Sequence, residues 1–375
     1  LAPPGIAAGA FIDLDATARS SGALLRRRGV GDAATLLRLA LAYGPGGMSL
    51  RSAAAWAGLN DVAAISDVAL LKRLCGSADW LGEIAGALLR NASNAGSATG
   101  ARRLRIADGS SISQPGSKGT DFRLHATYEP ALTRFTHLEL TDAHGGEAFS
   151  RTHLQEGDVV VGDRAYARAP SLEKVISSGA DFIVRTGWTS LRLLTLDGAV
   201  LDWNAVYEPI QPGEVREIDV LVEHSGKKLK GRGKPLFQAR LIVKRKDAQA
   251  TEKAVKAAKR GHQKRRYNQT MQPMTVTAAG FFMLLTSVLV REMAAADVLN
   301  TYRLRWQVEL AFKRLKSGLG IHKLPAKDSR LARSWLMAHL IIALIIDEAV
   351  NDVLESPPCE DETTFVRCDI LVETV

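Results

Sequence analysis

The stretch VVVGDRAYAR, residues 159–168, carries the decision about fold class. Three successive valines offer no polar face, as expected of a strand buried on both sides in the middle of a sheet. The run stops at Gly162 and Asp163. Open sheets place their sites outside the strand ends, so a carboxylate there points into a cleft. A single aspartate in such a place is ordinarily only a turn residue. The weight therefore rests on its company.

Upstream, Leu104 and Ile106 alternate with polar residues and lead to Asp108. Phe122, Leu124 and Ala126 alternate next, and then Phe135 with His137 and Glu139, opposed to Leu138 and Leu140. The spacing predicts three strands in a hairpin series. Downstream, Ser171 reads as the cap of a helix, and Phe182–Val184 as a further strand. Before residue 91 the chain reads as short helices, with Asp32 and Ser49 as N-caps. The pair across 49–75 suits either a helix-turn-helix or a plain packed bundle. The small polar segment NASNAGSATG (91–100) marks a boundary.

Residues 301–318 read TYRLRWQVELAFKRLKSG. The pattern predicts one helix over 297–317. At about 100° per residue, Arg305, Glu309 and Lys316 fall at about 300°, 340° and 320° from Tyr302, a single polar stripe. Val308, Phe312, Leu315 and Leu319 form an adjoining apolar face suited to packing on a sheet. A further helix is expected over 329–354. Its apolar run Leu340–Ile346 ends at Asp347 and Glu348 and is read as too short to span a bilayer.

The 375 residues carry a net charge of +9, and its location is informative. Residues 213–270 hold 17 Lys and Arg against 6 Asp and Glu, an excess of 11, so the rest is slightly acidic. One concentrated basic segment suits a polyanion better than general solubility does. Lys227, Lys228, Lys230, Arg232, Lys264, Arg265 and Arg266 are its candidate DNA contacts. Cys75, Cys359 and Cys368 form no CxxC pair, which points to neither a zinc site nor a disulfide framework.

Paired strand-end carboxylates, a third carboxylate on a helix, and Arg, Lys and Tyr beside it suit phosphodiester chemistry. Two Mg²⁺ ions about 3.5–4 Å apart stabilise both the attacking and the leaving oxygen. Mg²⁺ favours a few carboxylates with water and phosphate oxygens, and Arg and Lys hold phosphate. The pattern Tyr302-x2-Arg305-x3-Glu309-x6-Lys316 resembles the Y-R-E-K signature of the insertion-sequence-four family of bacterial DDE transposases. The segments around Asp108 (LRIADGSSI) and Asp163 resemble that family's two aspartate strands. Between the aspartates lie 54 residues, and 145 between Asp163 and Glu309, the second gap being long enough for the family's β-rich insertion.

The resemblance implies an α/β fold with a ribonuclease-H-like mixed-sheet core, a β-rich insertion and an all-helical N-terminal region. It divides the chain into a helical DNA-binding region (1–92), the first part of the core (101–186), a basic insertion (187–290), the last part of the core with a C-terminal helix (291–356), and an irregular acidic tail (357–375). Asp108, Asp163 and Glu309 are then catalytic metal ligands for two Mg²⁺, with Mn²⁺ as a substitute. Tyr302, Arg305 and Lys316 grip the transposon end. Phe282, in FFMLLT, is placed to stack on a displaced base or else is a buried strand residue. The implied function is a transposase that binds terminal inverted repeats, cleaves and joins double-stranded DNA, pairs as a homodimer at synapsis, and works in the bacterial cytoplasm at the nucleoid, away from membranes. The tail after Pro357 departs from the family pattern. The alternative is an inactive or truncated copy that only binds DNA.

Overall fold

The computed structural model describes residues 12–94, 102–223, 235–266, 270–318, 320–321 and 324–355. Five helices come first: α1 (Leu14–Ser20), α2 (Ala33–Tyr43), α3 (Leu50–Leu59), α4 (Asp67–Cys75) and α5 (Ala78–Asn94). Asp13, Asp32, Ser49 and Ser66 cap the first four, each accepting the backbone N–H three residues on. The strands β1 (Leu104–Ile112), β2 (Phe122–Glu129), β3 (Arg134–Asp142) and β4 (Val159–Gly162) follow, then α6 (Ala169–Ser177) and β5 (Asp181–Arg185). Next come β6 (Leu193–Leu194), α7 (Trp203–Tyr207), β7 (Val215–Glu223), β8 (Pro235–Arg245), α8 (Ala248–Arg266), α9 (Pro273–Ala279) and β9 (Phe281–Thr286). The described chain closes with α10 (Ala295–Arg303), α11 (Trp306–Gly318) and α12 (Ser329–Glu355).

All nine strands form one mixed sheet in the order β3-β2-β1-β4-β5-β9-β8-β7-β6. The centre is parallel, β1 with β4 and β4 with β5. The flanks are antiparallel. Alternation gives the sheet two cores. On one face Ile106, Val161, Ile183 and Leu284 pack against α10, α11 and the helical bundle. On the other Ala107, Val160, Val184 and Leu285 pack against α6 and α9. The strands of the 187–290 region do not stand apart. β9 pairs with β5 on one edge and β8 on the other, so β6–β8 extend the central sheet.

Three expectations are corrected. The helix expected over 297–317 is two helices, broken at Leu304 and Arg305, where bonds close three residues back (Leu304 N–H to Thr301, Arg305 N–H to Tyr302). Val298 and Tyr302 are buried before the turn, and Val308 and Phe312 after it. Ser171 does not cap a helix. It lies inside α6, buried, and its hydroxyl accepts the Phe149 N–H at 3.0 Å. The last apolar stretch is longer than read. Ser329–Ala349 spans 21 residues, enough by length and composition to cross a membrane, but 56% of its apolar window is buried in the fold. Leu331, Leu336, Leu340 and Ile341 of α12 share the core of Leu36, Leu70, Trp80 and Leu81 from the N-terminal helices.

Candidate active site

The parallel pairing of β1 and β4 decides where the two aspartates meet. Ile106 stands opposite Val161. Two residues further along each strand are Asp108 and Asp163, so the carboxylates leave neighbouring strands at the same level. Adjacent strands run about 4.8 Å apart. Asp108 is thus not at the end of its own strand, which continues to Ile112 beside β2. It sits where its parallel partner stops, and the stop opens the cleft.

Local geometry holds each group. The Asp108 carboxylate accepts the Gly109 N–H at 2.9 Å. Asp163 caps the short turn Arg164–Tyr166 and accepts the Ala165 N–H at 2.7 Å. Beneath it, Phe149 and Tyr166 pack with ring centroids 4.8 Å apart. A Cβ at Gly162 would lie 2.7 Å from the Phe149 ring, so only glycine fits there. Burial pushes the Asp108 carboxyl up to about 6, opposed by the Gly109 bond and Arg305, and reinforced by the negative charge of Asp163 and Glu147.

Glu147 is a fourth carboxylate that the sequence reading missed. It lies over Gly109, where a Cβ would come within 2.8 Å of its carboxylate oxygen, and 3.7 Å from the Arg123 guanidinium. Burial raises its pKa, Arg123 opposes this, and Asp163 adds to it. It sits in a connecting segment without period; the signal available was the paired glycines Gly145 and Gly146, which mark a tight approach.

From the other wall, α11 packs on β1, and Phe312 meets Phe135 at 5.9 Å. Arg305, in the break before α11, donates to the Glu309 carboxylate at 2.5 Å and lies near enough to Asp108 to favour its charge. It also faces the Tyr302 ring at 5.9 Å. Tyr302 is buried, and its ring meets Phe282 edge-on at 5.6 Å. Phe282 is half-buried, with the Arg185 guanidinium 5.4 Å above its ring. Tyr302, Arg305, Phe282 and Asp108 therefore converge on one cleft with Asp163. Lys316 is partly exposed near the far end of α11.

Glu309 does not join the aspartates. Its partner is Arg305, and among the described residues no three His, Cys, Asp or Glu side chains gather closely enough to hold a metal ion. Asp108 and Asp163 still match what Mg²⁺ uses, one or two carboxylates completed by water and phosphate oxygens. Lys264 is exposed on α8, beside Lys253, Lys256, Lys259 and Arg260, also exposed. The side chains of Arg265 and Arg266, and all of Lys227, Lys228, Lys230 and Arg232, lie outside the described residues.

Comparison with known proteins gives the family. Residues 99–345 match the family described as Transposase DDE domain. The chain is 43% identical over 348 residues to the putative transposase InsL for insertion sequence element IS186A of Escherichia coli (strain K12), 92% of each chain. It is 43% identical over 349 residues to the transposase for insertion sequence element IS421 of Escherichia coli, again 92% of each. The family implies a ribonuclease-H-like core, divalent-metal dependence and DNA as the partner. With its level pair of strand aspartates and the helix that carries Glu309 beside them, this chain belongs to the DDE transposases of bacterial insertion sequences.

Proposed function

We propose that the chain binds the terminal inverted repeats of its own element, cuts the phosphodiester at each end and joins the freed 3′ end to target DNA. The observation that carries this is the same-level exit of Asp108 and Asp163 from neighbouring strands, with Arg305 close enough to Asp108 to favour its charge. Asp108, Asp163 and Glu309 would hold two Mg²⁺ ions, or Mn²⁺ in their place. The ions would supply charge stabilisation to the attacking and leaving oxygens. Tyr302, Arg305 and Lys316 would orient the scissile strand, Arg305 by a forked pair of hydrogen bonds to phosphate. Phe282, its face already flanked by a guanidinium, would stack on a displaced base.

The N-terminal helices would form a DNA-binding region, with α3 and α4 as the candidate pair. Helix α8, whose sequence carries Lys264, Arg265 and Arg266, and the stretch of sequence holding Lys227, Lys228, Lys230 and Arg232 would track duplex phosphates. Synapsis of two ends calls for a homodimer. The work takes place on cytoplasmic DNA at the nucleoid, with no part in a membrane; the burial of much of α12 against the other helices supports that placement.

A second reading is favoured by one contact. Glu309 is occupied by Arg305, and a copy fixed in that state would bind ends without cutting. Incubation with the element's own end DNA and Mg²⁺, with bound and cut fractions resolved on gels, separates the two. Cleavage at the repeat boundary establishes the first reading; stable binding with no cut under any metal establishes the second.

A further inference from the structure

Glu147 comes from the connection between β3 and β4, and its neighbours fix the backbone on both sides of it. Arg123 donates to the Gly145 carbonyl at 3.1 Å and Arg151 to the Gly146 carbonyl at 3.0 Å. On the far side the Ser171 hydroxyl accepts the Phe149 N–H at 3.0 Å. A Cβ at Gly145 would strike the Thr141 side chain, and one at Gly109 would come within 2.8 Å of the Glu147 carboxylate. Two glycines thus make room for one acidic side chain.

The carboxylate held in this way has no hydrogen bond of its own. Its side chain is only 18% exposed, and among the described residues nothing donates to it. The Arg123 Nε stands 3.7 Å away, beyond hydrogen-bond reach, and is itself buried without a hydrogen-bond partner. A largely buried carboxylate in that condition costs free energy, and such groups point to a water or ion that completes them. Burial is the main reason that the pKa values of Asp108, Glu147 and Tyr166 are raised. Beyond burial, Glu147 and Asp163 act on Asp108, Asp163 acts on Glu147, and all three carboxylates act on the Tyr166 hydroxyl. The three therefore stand within electrostatic reach of one another. Mg²⁺ keeps several of its waters and touches only one or two carboxylates. Acidic groups that do not touch such an ion still accept hydrogen bonds from its water, and losing a group of this kind costs about 10–100-fold in metal affinity.

We propose that Glu147 is a positioning residue of the metal centre, holding through water the ion that Asp108 and Asp163 bind. This rests on the reading that the two aspartates hold the metal. The test follows Mn²⁺ binding to the full DNA-free chain by electron paramagnetic resonance. Glu147→Gln should weaken binding about tenfold or more. Without metal it should melt no lower than the parent, because a buried charge lacking hydrogen bonds is removed. Glu139→Gln, which leaves Arg151 without its carboxylate partner, should change Mn²⁺ affinity less than about twofold. Gly109→Ala crowds the Glu147 carboxylate and should also weaken binding, but far less once residue 147 is already changed to Gln, since both changes act through one group. Parental Mn²⁺ affinity in Glu147→Gln, or an equal loss in Glu139→Gln, overturns the proposal. So does an equal Gly109→Ala loss in both backgrounds, because the glycine would then act without Glu147. A Glu147→Gln protein melting well below the parent would make the side chain structural and overturn it as well. Asp108→Asn tells the two failures apart: if it too binds Mn²⁺ like the parent, the aspartate site itself is removed and this inference with it, whereas loss in Asp108→Asn alone removes only Glu147. None of these readouts involves cleavage.

Discussion

Arg305 and Glu309 stand one helical turn apart and are joined at 2.5 Å, the arginine largely buried and the glutamate half-exposed. The same guanidinium favours the charged form of Asp108. One cation thus holds the third acidic residue while it faces the first. An arriving DNA phosphate is a rival for that cation, and its capture would free Glu309 toward the aspartates.

Replacing Arg305 by Met therefore separates two effects. Affinity for end DNA should fall about tenfold or more, since a charge-assisted contact is lost. Affinity of the DNA-free protein for Mn²⁺, followed by electron paramagnetic resonance, should rise about two- to fivefold, the worth of a partly exposed ion pair. Unchanged Mn²⁺ affinity would mean that Arg305 does not hold Glu309 away from the metal.

Glu309→Gln keeps the shape and removes the charge. Changes to groups that only support a metal ligand already cost about 10–100-fold, so cleavage should fall by at least that much while binding to end DNA persists. Adding Asp108→Asn or Asp163→Asn should lower cleavage little further, because ligands act as one unit. Near-parental cutting by Glu309→Gln, measured as cut fraction at saturating protein, would remove Glu309 from the site.

Asp108 gives a pH signature. Burial puts its carboxyl at about 6 in the fold, against about 3.9 in an unfolded chain. The folded state thus binds the proton more tightly. Below about pH 4 both states are protonated and Asp108 costs nothing; as pH rises through 6 the fold must carry a buried charge and loses stability. In metal-free buffer Asp108→Asn should match the parent at pH 4 and exceed it at pH 8, by up to about 3 kcal/mol. Thermal melts across that range decide it, and an equal difference at both ends would contradict the assignment. Mn²⁺ binding by the parent should weaken as pH falls through 6.

Phe282→Ala opens space beside Tyr302 and should lower the melting temperature as well as cleavage. Phe282→Leu should restore most of the stability but not the cleavage, because a base loses its stacking partner, worth about 1–3 kcal/mol. Equal recovery of both would leave Phe282 as packing only.

The two site glycines should differ. At Gly162 a new Cβ meets a fixed aromatic ring and Tyr166, and Gly162→Ala should cost about 1–3 kcal/mol. At Gly109 it meets the end of the Glu147 side chain, which can swing away, so Gly109→Ala should cost less. Chemical denaturation of both variants ranks them.

The aspartate strands and the Glu309 helix were legible because buried strands and amphipathic helices write their period into the sequence. Val159–Val161 and Ile106 could be little else. The break at Leu304–Arg305 was not legible, since no proline or glycine marks it and the buried residues on either side, Val298, Tyr302, Val308 and Phe312, keep a continuous helical period. The wheel that aligned Tyr302 with Glu309 thus ran through a turn, although Arg305 and Glu309, four apart on either reading, do meet. Glu147 comes from an irregular segment, and its place is set by Arg123 and Gly109, far away in sequence. Ser171 looked like a cap because caps and buried hydroxyls use the same residue type.

β9 lends one edge to β5 and the other to β8. Among the described residues the basic region is consequently not an ornament hung on the catalytic sheet but a continuation of its floor, the strand that ends at Arg185 being joined through β9 to the strand that leads to α8. If α8 binds a DNA backbone as proposed, load on it would pass through paired strands to the neighbourhood of Asp163. Heat or denaturant should find one cooperative unit there, and a lineage that trimmed the basic region would have to rebuild the edge of its catalytic sheet at the same stroke.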